Sequence, residues 1–173
     1  MMTLVRHLSN YAAYHRDPRN VATHFVGIPL IVVGTAALLA RPSVTLFGLT
    51  LSPLVFVAAA AAGFYLALDR RYGAVLTALL GLAGWAGISL AAGPTGSWLL
   101  GSAGLFVGGW ALQFVGHALE GRKPAFVDDL IGLLIGPLFL VAEASFALGL
   151  RRELRDEIEA RLEVTRTRPL PAR

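Results

Sequence analysis

The chain has no cysteine. That excludes disulfides, thiolate zinc sites, cysteine-ligated iron–sulfur clusters and cysteine nucleophiles. It is also poor in charge. Only 15% of its 173 residues are Asp, Glu, Lys or Arg, against roughly 25% in soluble globular domains. Apolar residues make up 55%, and the mean hydropathy is +0.64. A soluble domain of this size cannot hide so much apolar surface, and a disordered chain would not carry it. The length fits one domain. What remains for metal or acid–base chemistry is four histidines and eleven carboxylates.

Charge is missing in blocks. No Asp, Glu, Lys or Arg occurs in 20–40, 42–68 or 72–119. A membrane-spanning helix needs roughly 20 apolar residues, so each of the first two blocks fits one span. The third is divided by the turn signal Gly93-Pro94-Thr95-Gly96 and reads as two spans, near 74–92 and 97–118. A fifth apolar segment, 130–150, is interrupted by Pro137 and Glu143. The N-terminus shows no short apolar core followed by a small-residue cleavage site, so the first span reads as a retained helix.

The basic residues orient these spans. Arg6, Arg16 and Arg19 precede the first, Arg41 follows it alone, and Arg70 and Arg71 follow the second. Arg122 and Lys123 follow the fourth, and seven arginines lie in 151–173. With four crossings and a cytoplasmic N-terminus, fourteen of the fifteen basic residues fall inside. A fifth full crossing would export the basic tail. The segment 130–150 is therefore expected to be broken, re-entrant or interfacial, bent at Pro137; five ordinary spans is the competing reading. In the tail, Leu154, Ile158 and Leu162 recur every four residues, the stripe of an amphipathic helix lying on the cytoplasmic surface or under the bundle. The pI of about 10.1 is then explained by topology and anionic headgroups. No motif supports nucleic-acid binding.

The expected fold is thus an all-α, polytopic transmembrane bundle. It has four spanning helices, a broken fifth segment and an amphipathic tail helix. Residues 1–150 form the membrane-embedded part, opened by a short amphipathic helix near 4–15, and 151–173 form the charged tail.

Ionisable groups at membrane depth are costly and usually functional. Asp17-Pro18 reads as an N-cap and first helical residue, which starts the first span at Pro18. On that helix Asn20 and His24 share a face, with Gly27 one turn further on. The fourth span ends in a polar stripe of Gln113, His117 and Glu120, spaced by four and three. By this topology His15, His24 and His117 lie at one membrane face. Neutral imidazoles in a dry pocket with open positions suit a non-haem iron(II) centre, and zinc with an activated water would suit the same donors. His7 reads as a solvated or headgroup-facing residue. Asp69 reads as a local charge partner, Glu143 as a buried carboxylate needing a basic partner, and Asp128 as an N-cap.

These residues also carry a resemblance. Tyr14-His15, Asn20, His24, Gly27 and Pro29 form one motif. Gln113-Phe114-Val115-Gly116-His117, Glu120, Arg122-Lys123-Pro124-Ala125, Asp128 and Leu130 form a second. Together, over about residues 10–150, they resemble the Mpo-like 2-hydroxy fatty acid dioxygenases, small polytopic membrane proteins formerly filed as a domain of unknown function. The resemblance implies a membrane oxidoreductase of fatty acid metabolism that needs Fe(II) and uses dioxygen to remove one carbon from a 2-hydroxy fatty acid. It implies His15, His24 and His117 as iron ligands and Glu120 as a further catalytic group, a ligand or a partner orienting one. Substrate contacts are expected from Arg122 or Lys123 to the carboxylate, and from Gln113 and Asn20. Two departures stand against the family pattern. Its glutamate lies one residue further from the second-motif histidine, and a histidine follows its aspartate where this chain has Arg70. The alternatives are another metal-dependent lipid enzyme, a hydroxylase or hydrolase, and a non-enzymatic membrane scaffold or lipid-binding protein.

Overall fold

The structure is a computed structural model that describes residues 2–122, 124 and 130–167. The all-α class holds, with one small addition. Helix α1 (Met2–Tyr14) leads into α2 (Pro18–Ala40). A hairpin of β1 (Val44–Leu46) and β2 (Leu49–Leu51) follows, then α3 (Pro53–Leu68), α4 (Arg70–Ala91), α5 (Thr95–Glu120), α6 (Gly132–Ala147) and α7 (Arg152–Thr167).

Helices α2, α4 and α5 are long and apolar enough to cross a membrane. At 1.5 Å per residue the shortest of them, with 22 residues, reaches about 33 Å, against a hydrocarbon core of about 30 Å. Large apolar side chains such as Leu82, Trp85, Ile88 and Leu100 stand exposed on them. In water such a surface would aggregate; in lipid it is solvated. The chain is an integral membrane protein.

The second apolar block departs from expectation. The block 42–68, read as one span, is helical only in its second half. Antiparallel pairing of Val44 with Leu51 and Leu46 with Leu49 occupies 44–51, and α3 keeps 16 residues, too few to cross alone. The reason is local. Phe47 and Gly48 both have positive φ, 50° and 80°, which is the backbone of a two-residue hairpin turn and is incompatible with a helix. Pro53 then sits at the first turn of α3, where its missing N–H costs nothing.

The fifth segment is broken, but not where expected. Helix α6 runs through Pro137. The bend comes between α6 and α7, whose axes differ by 116°, at Gly149 and Arg151 with φ of 72° and 54°. Two ties hold that corner. Arg151 makes a bidentate ion pair with Asp69, 2.8 and 3.2 Å, and its guanidinium lies over the Tyr72 ring, 4.7 Å from its centroid. Asp69 also caps α4 by accepting from the N–H groups of Arg71 and Tyr72. Its partner is therefore distant in sequence and not the adjacent arginines. The tail stripe is as expected: Leu154 and Ile158 are buried in one cluster with Leu4, Val5 and Leu8 of α1. The N-cap expected at Asp128 lies outside the described residues.

Helix α2 is the axis of the bundle. Against α5 it packs backbone to backbone. A Cβ added to Gly109 would stand 2.7 Å from the Gly27 carbonyl oxygen, and one added to Gly34 would stand 2.7 Å from the Phe106 nitrogen. Only glycine permits that approach.

Candidate metal centre

Three elements deliver three histidines to one point. His15 follows the last turn of α1, His24 is in the second turn of α2, and His117 is in the last turn of α5. Asp17 fixes the entry to α2 by accepting from the Arg19 N–H at 2.8 Å, with Pro18 at the first helical position. Gly121, at φ 68°, ends α5 just beyond His117.

The three imidazoles are 5%, 2% and 5% exposed. Their ring centroids lie 4.5, 4.9 and 5.0 Å apart. One donor nitrogen from each falls within 4.8 Å of the others. The hydrogen bonds around them define the chemistry. His15 Nδ1 is 2.8 Å from the Tyr11 carbonyl oxygen, and His24 Nδ1 is 2.9 Å from the Asn20 carbonyl oxygen. A carbonyl only accepts, so each Nδ1 carries the proton. Each neutral ring then presents an Nε2 lone pair, and those two atoms face each other at 3.0 Å. Two lone pairs at that distance repel unless an electrophile sits between or beside them. In His117 the Nδ1 is buried with no hydrogen-bond partner among the described residues. A histidine held by a backbone carbonyl on one nitrogen and free on the other is the usual form of a metal ligand.

Burial pushes the His15 pKa down to about 4, the Tyr11 carbonyl opposes this, and His117 pushes it lower. His15 is therefore a neutral donor at physiological pH. The Tyr11 ring stacks on it, 4.1 Å away and inclined by 3°, and locks its orientation.

Glu120 is close by but is not one of the three converging donors. Its Oε1 accepts from the Arg16 N–H at 2.7 Å. Its Oε2 accepts from the Asp17 N–H at 3.2 Å and from Asn20 Nδ2 at 2.8 Å. It thus ties the end of α5 to the linker that carries His15. Asn20 is fully buried and serves both the His24 ring and this carboxylate. Arg122 donates to the Ala13 carbonyl at 2.7 Å from an exposed position, holding α1 against α5. Lys123 lies outside the described residues.

Behind the histidines runs a cavity of about 490 Å³, lined on one side by His24, Ile28, Ile31, Thr35 and Leu39 of α2. Gln113 and His117 of α5 line its upper end. The Gln113 side chain is buried and its Nε2 has no partner among the described residues. It rests over Gly27, where a Cβ would collide with it. Gly27 therefore makes room for an amide, a finer version of the close approach expected there. Arg122 is not among the lining residues.

Sequence reasoning missed Tyr11. On the stripe of α1 it reads as one more core residue, and only its place four residues before His15 hints otherwise. It also missed the cavity wall on α3, where Ala58, Ala61 and Tyr65 face the void.

Comparison with known proteins identifies the family. The family model described as 2-hydroxy-palmitic acid dioxygenase Mpo1-like matches residues 1–148. The 2-hydroxy-palmitic acid dioxygenase MPO1 of Saccharomyces cerevisiae (strain ATCC 204508 / S288c) is 31% identical over 166 residues, covering 95% of this chain and 92% of the relative. No solved structure matches.

Proposed function

Because the chain belongs to the Mpo1-like family, we propose that it is a membrane-embedded, iron(II)-dependent dioxygenase that shortens 2-hydroxy fatty acids by one carbon. The observation that carries the metal part of this reading is the pair of Nε2 lone pairs facing each other at 3.0 Å with His117 Nδ1 unpartnered beside them. His15, His24 and His117 would hold the ion. Iron(II), when bound, supplies the electrons and open positions that dioxygen chemistry needs. The conversion balances without a further reductant: a 2-hydroxy acid and one dioxygen give the acid one carbon shorter, carbon dioxide and water.

The remaining parts belong to the chain itself. The cavity holds the alkyl chain and keeps water out. Gln113 donates from Nε2 to the 2-hydroxyl or carboxylate of the substrate, which gives this buried amide the partner it lacks. Asn20 and Glu120 act as positioning residues: they hold the His24 ring and the His15 linker, and Glu120 is not a ligand. Arg122 holds α1 and leaves carboxylate recognition to groups nearer the cavity. In this reading the histidines, the N-terminus and the tail face the cytoplasm, the side that the distribution of basic residues favours.

The test is oxygen consumption by detergent-purified, iron-loaded protein given 2-hydroxypalmitate, with product analysis. Uptake of one dioxygen per fifteen-carbon acid formed is expected. Product of unchanged length would mean a hydroxylase, and turnover without oxygen uptake would mean a hydrolase using the same donors with zinc.

A further inference from the structure

The cavity ends. Its lining on α2 runs from His24 to Leu39, fifteen residues or about 22 Å along the helix axis. Leu39 of α2 and Leu54 of α3 line the end away from the histidines. Leu54 is buried and is backed by α4, where a Cβ on Gly84 would meet it at 3.9 Å. At the other end Tyr65 of α3 donates to the Leu134 carbonyl at 2.8 Å. Helix α3 therefore lies alongside the void from floor to mouth, and Ala58 and Ala61 present only methyl groups to it.

We propose that α3 is a ruler for acyl-chain length: Leu54, with Leu39 opposite, closes the cavity, and the alanines at 58 and 61 keep its lower half open. The inference rests on the 2-hydroxy fatty acid reading and adds which residues set the substrate. With carbon–carbon bonds of about 1.5 Å at about 111°, an extended alkyl chain advances about 1.25 Å per bond. The 22 Å depth then admits about 18 carbons. Ala58 stands four residues above Leu54, about 6 Å, and Ala61 seven residues, about 10 Å. A bulky side chain at either would raise the floor by about 5 or 8 carbons respectively.

The experiment uses the full-length, iron-loaded protein and 2-hydroxy acids from eight to twenty-two carbons. Thermal stabilisation reads binding and oxygen uptake reads turnover, with iron content as the control for an intact fold. Wild type should bind acids up to about eighteen carbons. Ala58→Phe should move the longest acid that still stabilises the protein down by about 5 carbons, and Ala61→Phe by about 8. If either phenylalanine variant fails to fold, Ala58→Leu gives a smaller shift in the same direction, and Leu54→Ala should shift the limit upward. Binding profiles that coincide in all the variants would overturn the ruler, whatever the turnover. Shifted profiles with no oxygen uptake by any of the proteins would uphold the ruler and overturn the dioxygenase reading instead.

Discussion

The two sides of α2 do opposite things. Along its glycine seam with α5 it has no spare volume: Gly27, Gly34 and Gly109 bring backbones into contact, and a Cβ at Gly116 would collide with Thr23 and Asn20. Toward α3 and α6 the same helix lines a cavity of about 490 Å³. His24 and His117 stand where the two meet: the tight seam fixes the separation of their rings, and both line the cavity. The loose side carries what must change places with a ligand. One helix thus separates the part of the site that is held rigid from the part that is filled, a division expected where a rigid set of ligands serves a mobile substrate.

The strongest way to break this contrast is to force the seam apart. In Gly109→Val the first added carbon already lies 2.7 Å from the Gly27 carbonyl oxygen and from the Ile31 side chain. Backbone cannot yield as a side chain can, so the cost should exceed the usual ~1–3 kcal/mol of overpacking. Loss of both bound metal and cooperative thermal unfolding is expected. A wild-type melting profile would refute the rigid seam.

A gentler change loosens one ligand only. In Glu120→Ala the linker N–H groups of Arg16 and Asp17 lose their acceptor, and Asn20 loses its own. The fold should survive. Metal affinity should fall about 10–100-fold, the range for residues that orient ligands, as read by competition with a chelator. Glu120→Asp should recover part of it. A complete loss of metal in Glu120→Gln, which preserves shape, would instead argue that Glu120 is itself a ligand.

The smallest effect is expected on the loose side. Gln113→Leu replaces a buried amide that has no protein partner, so stability should hold or rise. The loss should appear in kcat/KM for 2-hydroxy acids, about tenfold to a hundredfold, corresponding to one buried hydrogen bond of about 1–3 kcal/mol. Preference over the unsubstituted acid should narrow by the same factor. Unchanged preference would remove Gln113 from the substrate contacts.

Much of the tight side was legible in the sequence. His24 and His117 are conspicuous because their surroundings carry no charge, and basic-residue counting placed both at one membrane face. Asp17-Pro18 announced the start of α2 through its local chemistry. The loose side was not legible. A void is made by what is missing between helices, and Ala58 or Ala61 facing it looks like any alanine facing lipid. The partners of Glu120 are backbone N–H groups, which leave no trace in residue types. The hairpin at 44–51 was hidden because strand and helix are equally apolar there, and only the positive φ at Phe47 and Gly48 separates them. Pro137 misled for a related reason. A helix in a packed bundle can absorb a proline, whereas two residues at positive φ, Gly149 and Arg151, cannot be absorbed.

The central claim is that three buried neutral histidines share one iron. The most direct test is elemental analysis of protein purified without oxygen, wild type beside His15→Ala, His24→Ala and His117→Ala, each shown to be folded. About one iron per wild-type chain, lost from every variant, is the predicted result. Stoichiometric zinc, no metal after anaerobic iron loading, or iron retained when His24 and His117 are removed would contradict it.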